Sequence, residues 1–283
     1  MNVLIENFLI DLEWRWFIML KSSNIFGDNS LPSYVKRVYT KKKIYDQYLP
    51  LSDVENKQLN QLDRYREVFT SNHIEGNSYN EFETTALLKD GIFTNSKPVR
   101  DAIEIHNLNR AILFCDSYVG DLNESFIKKV HSLITSGTLD DPLDEGEYKR
   151  TANYIGNIHT CPVNAVKKEM DYLINWYNEN LNKMDTILLA CRFKYRFLVI
   201  HPFINGNGRT SRTLFNFILK RGGICPLIIE PNEVPNYYKA LKESNLVSDN
   251  RDRKFKCEPL EEFLCGELVK FYDKRINLLE GEW

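Results

Sequence analysis

The feature that most constrains the fold is the spacing of apolar residues, which recur every three or four positions through most of the chain. This spacing is typical of amphipathic α-helices, whereas half-buried strands alternate with a period of two. Alternating runs rich in β-branched residues are few. We therefore predict a mainly α protein. The predicted helices cover residues 52–73, 98–118, 124–136, 163–182, 186–200, 209–221, 235–245 and 260–279.

Three segments between the predicted helices have another character. Residues 146–157 (GEYKRTANYIGN) carry aromatic and β-branched residues between two glycines, which indicates a short β-hairpin. Residues 226–230 follow two consecutive glycines and predict a brief strand. The charged run DNRDRKFK at 249–256 predicts an exposed linker, because such a density of charge cannot be buried.

The length of 283 residues favours one main domain with extensions, since single cores seldom grow beyond roughly 250–300 residues. We predict an N-terminal helical extension at 1–51, the main domain at 52–245 and a C-terminal helical extension at 246–283. The hydrophobic fraction of 43% is ordinary for a soluble protein, and the net charge of −2 gives no reason to expect a nucleic-acid partner.

The cysteines and the N-terminus bear on location. The six cysteines form no CxxC pair, which favours free thiols and predicts a cytoplasmic location. The apolar N-terminus is interrupted by Glu6, Asp11 and Glu13 and lacks a basic start, so it does not resemble a signal peptide. We predict an amphipathic helix packed on the core. A helix lying on a membrane surface is the alternative, which the acidic polar face disfavours.

A loop between two predicted helices, HPFINGNGRTSR at 201–212, carries the chemistry. Pro202 and two glycines interrupt the helices, so the free amides of the second helix's first turn form an anion site. Arg209 and Arg212 lie three apart on one helix face, and their guanidinium groups match phosphate oxygens. His201 at the other end is neutral and basic at cellular pH, as a general base must be. The loop therefore predicts transfer at a phosphoryl centre.

Neither HPF nor GNG alone would indicate a function, because each is more typical of an ordinary turn. Their combination in this order favours function. Phe203 is predicted to anchor the loop on the core. The remaining histidines share no metal-ligand spacing and are predicted to be structural. They are His73, His106, His131 and His159.

The loop resembles the signature HPFx(D/E)GNGRxxR of the Fic family, and the resemblance extends over about residues 70–245. It implies a Fic-type helical bundle with a short β-hairpin flap, and transfer of AMP from ATP to a Ser, Thr or Tyr hydroxyl of a target protein. By this resemblance His201 is the general base and Arg212 holds the γ-phosphate. The nucleotide-binding residues that it implies are Ile155, Gly156, Asn157, Ile158, Asn205, Gly206, Asn207, Gly208, Arg209, Thr210, Ser211, Arg212, Tyr237, Tyr238 and Asn245.

Two positions of the loop refine this prediction. Asn205 stands where the family usually has Asp or Glu to hold Mg²⁺, and an amide oxygen is a hard ligand without charge. We expect weaker magnesium binding at Asn205, and not a loss of activity. Related Doc kinases have lysine at the position of Gly208 and transfer the γ-phosphate instead, so glycine here favours AMP transfer.

Two further stretches fit the resemblance. Residues 146–157 resemble the flap that covers the nucleotide and aligns a target segment by main-chain pairing. Tyr237, Tyr238 and Asn245 resemble residues on the adenine side, although simple helix packing explains the two tyrosines almost as well.

The stretch SNHIEGN at 71–77 predicts, by its local pattern alone, a helix that ends at Glu75 with Gly76 in a left-handed turn. Beside the loop, Ser71, Glu75 and Gly76 resemble the inhibitory motif (S/T)xxxE(G/N), placed before the core as in the second class of the family. The resemblance implies that Glu75 pairs with Arg212 in the place of the γ-phosphate, so that ATP binds only in a nonproductive pose.

These observations predict an adenylyltransferase that uses ATP and Mg²⁺, modifies a target protein or itself, and is restrained by Glu75. Two alternatives stay open. One is removal of AMP at the same site, with Glu75 positioning a water molecule. The other is a noncatalytic nucleotide-sensing module, which Asn205 supports. The sequence leaves open the target, the assembly into a homo-oligomer, and the signal that relieves inhibition.

Overall fold

The computed structural model of the chain describes residues 31–155, 158–244 and 257–281. Within these ranges it contains ten α-helices and one two-stranded sheet. The helices are α1 (Ser33–Tyr45), α2 (Asp53–Ile74), α3 (Glu81–Asp90), α4 (Val99–Ser117), α5 (Glu124–Thr135), α6 (Val163–Asn180), α7 (Thr186–Ile200), α8 (Asn207–Arg221), α9 (Val234–Glu243) and α10 (Glu258–Glu280). The mainly α prediction is confirmed. The predicted N-terminal amphipathic helix, the linker at 249–256, Gly156, Asn157 and Asn245 lie outside the described residues.

Side chains at the helix starts explain where several helices begin. Ser52 precedes α2 and its hydroxyl accepts a hydrogen bond from the Glu55 amide, while the Glu55 carboxylate accepts one from the Ser52 amide. Asn80 and Glu83 form the same reciprocal capping box at α3. The Asp185 carboxylate accepts two amides of the first turn of α7.

The centre of the molecule is the antiparallel pair α7 and α8, which are joined by the loop that carries the predicted chemistry. Both helices have buried residues on all sides, as expected for helices inside a core. Helices α2, α4 and α5 pack on α8, while α6 and α10 pack on α7. Phe203 is fully buried between the rings of His131 and Phe197, which confirms that it anchors the loop.

The described ends of the chain pack together on this core. Helix α10 lies against α1, α7 and α9, and buries Leu260, Leu264 and Leu268 completely. The Tyr34 hydroxyl of α1 donates to Glu261 of α10 at 2.7 Å. Helices from the two predicted extensions therefore contribute to one continuous core, although the predicted domain boundaries themselves stay a prediction.

The hairpin lies later in the sequence than predicted. Strands β1 (Tyr154–Ile155) and β2 (Ile158–His159) pair antiparallel, with Tyr154 opposite His159. The bounds 146–157 were wrong because Lys149 and Asn153, before β1, bond to the loop after α7 instead of to a strand. The Lys149 amide donates to the Pro202 carbonyl at 2.9 Å, and the Asn153 side chain donates to the Phe203 carbonyl at 2.7 Å.

The strand predicted at 226–230 is also wrong, since these residues form no strand. The side chain of Asn216 accepts a hydrogen bond from the Leu227 amide at 2.8 Å and donates one to the Leu227 carbonyl at 3.0 Å. The Tyr272 hydroxyl accepts the Cys225 amide at 3.1 Å. Side chains from α8 and α10 thus satisfy backbone groups that a neighbouring strand would otherwise satisfy.

Two further observations concern the predicted environment. No helix in the described part of the chain is both long and apolar enough to cross a membrane. All six cysteines lie within the described ranges, and each is a free thiol.

Candidate active site

His201 lies directly after the last residue of α7, in a left-handed backbone conformation with a φ of +51°. It is the only non-glycine with positive φ among the described residues. Such a conformation is uncommon for a residue with a side chain and is often found at functional sites. Its amide still donates to the Phe197 carbonyl at 2.9 Å. The half-buried imidazole is therefore held at the mouth of the loop by the end of α7.

The interior of the loop is braced by Asn207. Its side chain accepts a hydrogen bond from the Phe203 amide at 3.0 Å and donates one to the Phe203 carbonyl at 2.8 Å. The side chain of Asn207 is 1% exposed. It is therefore committed to the loop, and only its backbone amide faces the helix start.

The N-terminus of α8 is uncapped by any side chain. Gly206 precedes it with a φ of +74°, and the first intrahelical bond runs from the Thr210 amide to the Gly206 carbonyl. The amides of Asn207, Gly208 and Arg209 therefore have no partner within the helix. Aligned peptide dipoles add a partial positive charge at this end, an arrangement that suits the predicted anion site. The side chains of Thr210 and Ser211 are fully buried beneath it.

Arg212 is joined to the two predicted inhibitory residues. One of its terminal nitrogens, Nη2, donates to Glu75 Oε1 at 2.7 Å and to the Ser71 carbonyl at 2.9 Å. Its Nε donates to the Ser71 hydroxyl at 2.9 Å. Glu75 ends α2, and Gly76 follows with a φ of +88°. The structure therefore brings Ser71 and Glu75 together with Arg212, which follows Glu75 by 137 residues in the sequence.

The pair of Glu75 and Arg212 is charged on both sides. Burial raises the pKa of the Glu75 carboxyl, but the attraction of Arg212, aided by Arg209 and Lys194, outweighs burial and lowers it. Burial lowers the pKa of Arg212, yet Glu75 more than compensates and raises it. The Arg212 side chain is 9% exposed and the Glu75 side chain 30%, so the pair is partly open to solvent. Loss of Glu75 would leave the nearly buried charge of Arg212 without its carboxylate.

The carboxylate of Glu75 lies against the first turn of α8 itself. A Cβ atom built on Gly208 would collide with Glu75 Oε1. No side chain fits at position 208 while Glu75 is in place. The Glu75 carboxylate thus lies beside the uncapped start of α8.

Arg209 is held by a different carboxylate. Its Nη1 lies 3.3 Å from Glu104 Oε1 of α4 and donates to Asn72 at 3.5 Å. The guanidinium is 5% exposed. We predicted that Arg209 and Arg212 could reach one anion, and the structure instead gives each of them its own carboxylate. The sequence analysis missed Glu104 and Asn72, for which no local pattern gives a signal.

The imidazole of His201 is neutral at pH 7. Burial above all, and then the positive charge of Lys149, lower its pKa to about 4, while the Leu198 carbonyl and Glu75 act in the opposite direction. Lys149 is itself 2% exposed and donates to Asn153 at 2.7 Å and to the Thr160 hydroxyl at 2.6 Å. Lys149, which the sequence analysis missed, thus joins the two ends of the flap beside the predicted base.

His131 holds the loop to the root of the flap. Its Nδ1 accepts the Gly146 amide at 2.9 Å, so the proton is on Nε2, which donates to the Asn205 carbonyl at 3.0 Å. The ring stacks on Phe203 with 3.7 Å between centroids. Burial above all lowers the pKa of His131 to about 4. These contacts agree with the structural role predicted for His131.

Comparison with known proteins identifies the domain around this loop. A sequence profile of the Fic/DOC family matches residues 121–219, which include the whole loop. Residues 121–219 therefore resemble a Fic/DOC domain. The chain is similar to protein adenylyltransferase fic-1 of Caenorhabditis briggsae, at 30% identity over 184 residues that make up 61% of this chain and 35% of that protein. It is also similar to protein adenylyltransferase Fic of Drosophila grimshawi, at 30% identity over 186 residues, 64% of this chain and 38% of that protein.

A solved structure extends the likeness beyond the Fic domain. The crystal structure of a Fic-domain-containing signalling protein from Bacteroides thetaiotaomicron superposes with a TM-score of 0.78 at 26% identity. The match covers 89% of this chain and 99% of that one. By contrast, this chain spans little more than a third of the length of the curated relatives from Caenorhabditis and Drosophila.

The Fic loop of this chain departs from the family pattern at Asn205. This residue is exposed, and its Oδ1 accepts the Gly206 amide at 2.6 Å. Magnesium in nucleotide sites is usually held by one or two carboxylates together with phosphates. No group of three His, Cys, Asp or Glu side chains suited to a metal occurs in the described ranges. Mg²⁺ at Asn205 therefore stays a prediction.

The two tyrosines predicted on the adenine side differ in exposure, and two of the predicted flap residues pair with each other. Tyr237 is 2% exposed and its ring packs near Phe263 and Lys194, which favours the packing explanation for it. Tyr238 is 51% exposed, and its hydroxyl donates to the Ile74 carbonyl at 3.3 Å, beside the inhibitory residues. Ile155 and Ile158 pair in the flap hairpin.

Proposed function

We propose that this protein is a protein adenylyltransferase, which transfers AMP from ATP to a Ser, Thr or Tyr hydroxyl of a target protein and is restrained by Glu75. The observation that carries the proposal is the Glu75 carboxylate on Arg212, against the uncapped first turn of α8. A neutral imidazole lies at the other end of the same loop. Relatives named protein adenylyltransferase support this activity.

In the proposed complex, the triphosphate of ATP binds at the start of α8. The free amides of Asn207, Gly208 and Arg209 donate hydrogen bonds to phosphate oxygens. Arg212 turns its guanidinium fork from Glu75 to the terminal phosphate, which presents the same geometry with more charge. Binding in this way fixes the α-phosphorus near His201, which supplies much of the rate by positioning alone.

The chemical step then needs one base and stabilisation of the leaving group. His201 accepts the proton of the target hydroxyl as its oxygen attacks the α-phosphorus in line. The new oxygen–phosphorus bond forms while the bond between the α-phosphorus and the bridging oxygen breaks, and pyrophosphate leaves. Arg212 and the helix amides stabilise the negative charge on the departing pyrophosphate. The imidazolium finally loses its proton to solvent.

The restraint follows from competition for one guanidinium. While the Glu75 carboxylate occupies Arg212, the terminal phosphate of ATP meets a like charge and lacks its partner. ATP then binds only with its phosphates displaced from the line of attack. Because Ser71 also holds Arg212 through two hydrogen bonds, release requires the last turn of α2 to move as a unit.

The target is proposed to reach this site along the flap. In the described ranges the sheet of the flap consists of β1 and β2, and an extended segment can add to such a sheet by main-chain hydrogen bonds. Such a segment belongs to another protein or, in self-modification, to a second copy of this chain. The six free thiols support the proposal that the enzyme acts in the cytoplasm.

The test is the intact mass of purified protein after incubation with ATP. The Glu75→Gly protein should gain one or more AMP groups through self-modification, because Arg212 is then free for the phosphate. The protein without the substitution should gain little. The Glu75→Gly, His201→Ala protein should gain none, since the base is missing. A Glu75→Gly protein whose mass is unchanged, both alone and in the presence of a cell extract whose proteins also gain no AMP, would contradict the proposal.

A noncatalytic nucleotide-sensing function is the second candidate, and Asn205 favours it. This residue brings no negative charge to the loop, and its oxygen already accepts the Gly206 amide. A thermal-shift measurement separates the two functions. Stabilisation of the Glu75→Gly protein by ATP without any gain of AMP would indicate a sensor, whereas stabilisation together with transfer would indicate the enzyme.

A further inference from the structure

A lysine lies buried beneath the nucleotide site, in the middle of α7. Lys194 is 0% exposed. Its Nζ donates one hydrogen bond, to the Ser211 hydroxyl at 3.1 Å, and lies 5.3 Å from the ring centroid of Tyr237. Ser211 is its only hydrogen-bond acceptor among the residues that the structure describes. An ammonium has three N–H donors, so the charged form of this side chain is poorly compensated here.

The groups that face Lys194 come from four elements. They are Arg212 of α8, Glu75 at the end of α2, Cys191 of α7 and Tyr237 of α9. Burial raises the pKa of the Cys191 thiol well above its ordinary value and that of the Tyr237 phenol to about 12, so both are uncharged at neutral pH. The charges that act on the amine are therefore those of Arg212 and Glu75.

These two charges act on Lys194 in opposite directions. Burial above all, followed by the repulsion of Arg212, lowers the pKa of Lys194 well below its ordinary value, whereas Glu75 raises it. An anion beside Arg212 favours the ammonium, and loss of that anion favours the neutral amine. The charge of this lysine therefore depends on what occupies the anion site.

A directed chain of hydrogen bonds connects this amine to the phosphate-binding turn. Lys194 donates to the Ser211 hydroxyl, and that hydroxyl donates to the Gly208 carbonyl at 2.8 Å. Gly208 lies in the first turn of α8, where the free amides are. The amine is thus one side chain away from the backbone that would cradle phosphates.

We propose that Lys194 is a positioning residue of the nucleotide site, which holds the first turn of α8 through the Ser211 hydroxyl. Its amine takes a proton from solvent when the phosphates of a nucleoside triphosphate bind beside Arg212. The Lys194 amine is then positively charged while the phosphates are bound and uncharged while the site is empty. This inference rests on the proposed function only in that a nucleoside triphosphate is the ligand.

The experiment is titration calorimetry with ATP, at fixed Mg²⁺ concentration and pH 8, in two buffers of different ionisation enthalpy. The Glu75→Gly, His201→Ala protein serves as the background, because it performs no transfer and lacks the other imidazole of the site. At this pH the terminal phosphate of ATP carries no proton of its own. We expect a net uptake of protons when ATP binds.

Two substitutions of Lys194 in that background make the test specific. Lys194→Met keeps the length of the side chain without a charge, and should abolish the proton uptake and weaken ATP binding roughly tenfold. Lys194→Arg is charged at every pH, and should also abolish proton uptake but bind ATP within a few-fold of the background protein. A merely structural lysine would change affinity and leave the proton count unaltered.

An unchanged proton count in the Lys194→Met protein would overturn this inference. If that variant does not fold, an unchanged proton count in the Lys194→Arg protein would overturn it instead. Uptake that depends on Lys194, in a protein whose Glu75→Gly form transfers no AMP, would support the inference and contradict the adenylyltransferase. Absence of ATP binding in the background protein would contradict both.

Discussion

The imidazole of His201 illustrates how single residues set the chemistry of this site. With a pKa of about 4, set by burial and then by Lys149, it is a neutral base throughout the cellular pH range. Under the proposed function, the negative charge of a bound triphosphate would raise the pKa of the imidazole toward neutrality, where a general base is most efficient. Burial would then keep the imidazole free of a proton before ATP binds, and the charge of ATP would strengthen it as a base.

Replacing Lys149 should shift the acidic limb of the activity profile. In a Glu75→Gly background, Lys149→Met removes the positive charge that disfavours the imidazolium, so the pKa of His201 rises and activity falls at a higher pH than before. The measurement is the rate of AMP transfer from pH 4.5 to pH 8. Lys149→Arg keeps the charge and should keep the limb in place. An acidic limb at the same pH in both variants would show that Lys149 only anchors the flap.

Sequence reasoning could identify His201, Arg212 and Glu75 because each belongs to a compact local motif. It could not identify the residues whose importance comes from a distant neighbour. His131 bonds to a carbonyl 74 residues later, and Lys194 touches a hydroxyl 17 residues along the chain on another helix. The local sequence around a histidine or lysine in an amphipathic helix does not predict such a contact.

At the scale of secondary structure, the helices with clear end signals were predicted best. Helix α7 has the bounds predicted from its sequence, because Asp185 caps its start and Pro202 follows its end. Helix α3 was missed although Asn80 and Glu83 form a capping box before it and Gly91 ends it. Both errors in strand placement share a cause: side chains or loops distant in sequence satisfy the backbone there, which a local pattern does not reveal.

The junction of the loop and the flap should make the protein sensitive to acid. The pKa of His131 is about 4 in the folded protein, against about 6.5 when unfolded, so the unfolded state binds the proton first as pH falls. Stability is complete above about pH 6.5 and is lost towards pH 4. His131 alone should contribute a loss of about 2 kcal/mol between pH 7.5 and pH 5.

The matched variant for this prediction is His131→Phe, which keeps a ring against Phe203 and does not titrate. It should be less stable than the parent at pH 7.5, by about 1–3 kcal/mol, because the Gly146 amide and the Asn205 carbonyl lose their partner. Urea unfolding at the two pH values should show a smaller pH dependence for this variant. An equal dependence in both proteins would assign the acid sensitivity elsewhere.

For the whole molecule, helix α10 completes the core that supports helices α7 and α8. Arg192 of α7 donates to Glu261 of α10 at 2.8 Å, and Glu261 also accepts the Tyr34 hydroxyl of α1. The carboxylate of Glu261 is 1% exposed. Elements from the beginning, middle and end of the described chain thus meet at one buried charge.

A core substitution in α10 should therefore affect the stability of the entire protein. Leu268→Ala removes a fully buried side chain and should lower the free energy of unfolding by about 2–5 kcal/mol. Glu262→Ala, at an exposed position of the same helix, should change it by less than about 0.5 kcal/mol. Unfolding in urea, followed by circular dichroism, measures both. A transition in which α10 melts separately from the rest would contradict this prediction.

The length of α2 has a mechanical consequence. Its 22 residues extend over about 33 Å, with Glu75 just beyond the far end. Pivoting this rod by about 5° around its first residue displaces the carboxylate by about 3 Å, enough to detach it from the guanidinium. The first turn of α2 is open to solvent. Under the proposed inhibition, a partner that tilts α2 about this exposed end would release Arg212 without any contact with the nucleotide.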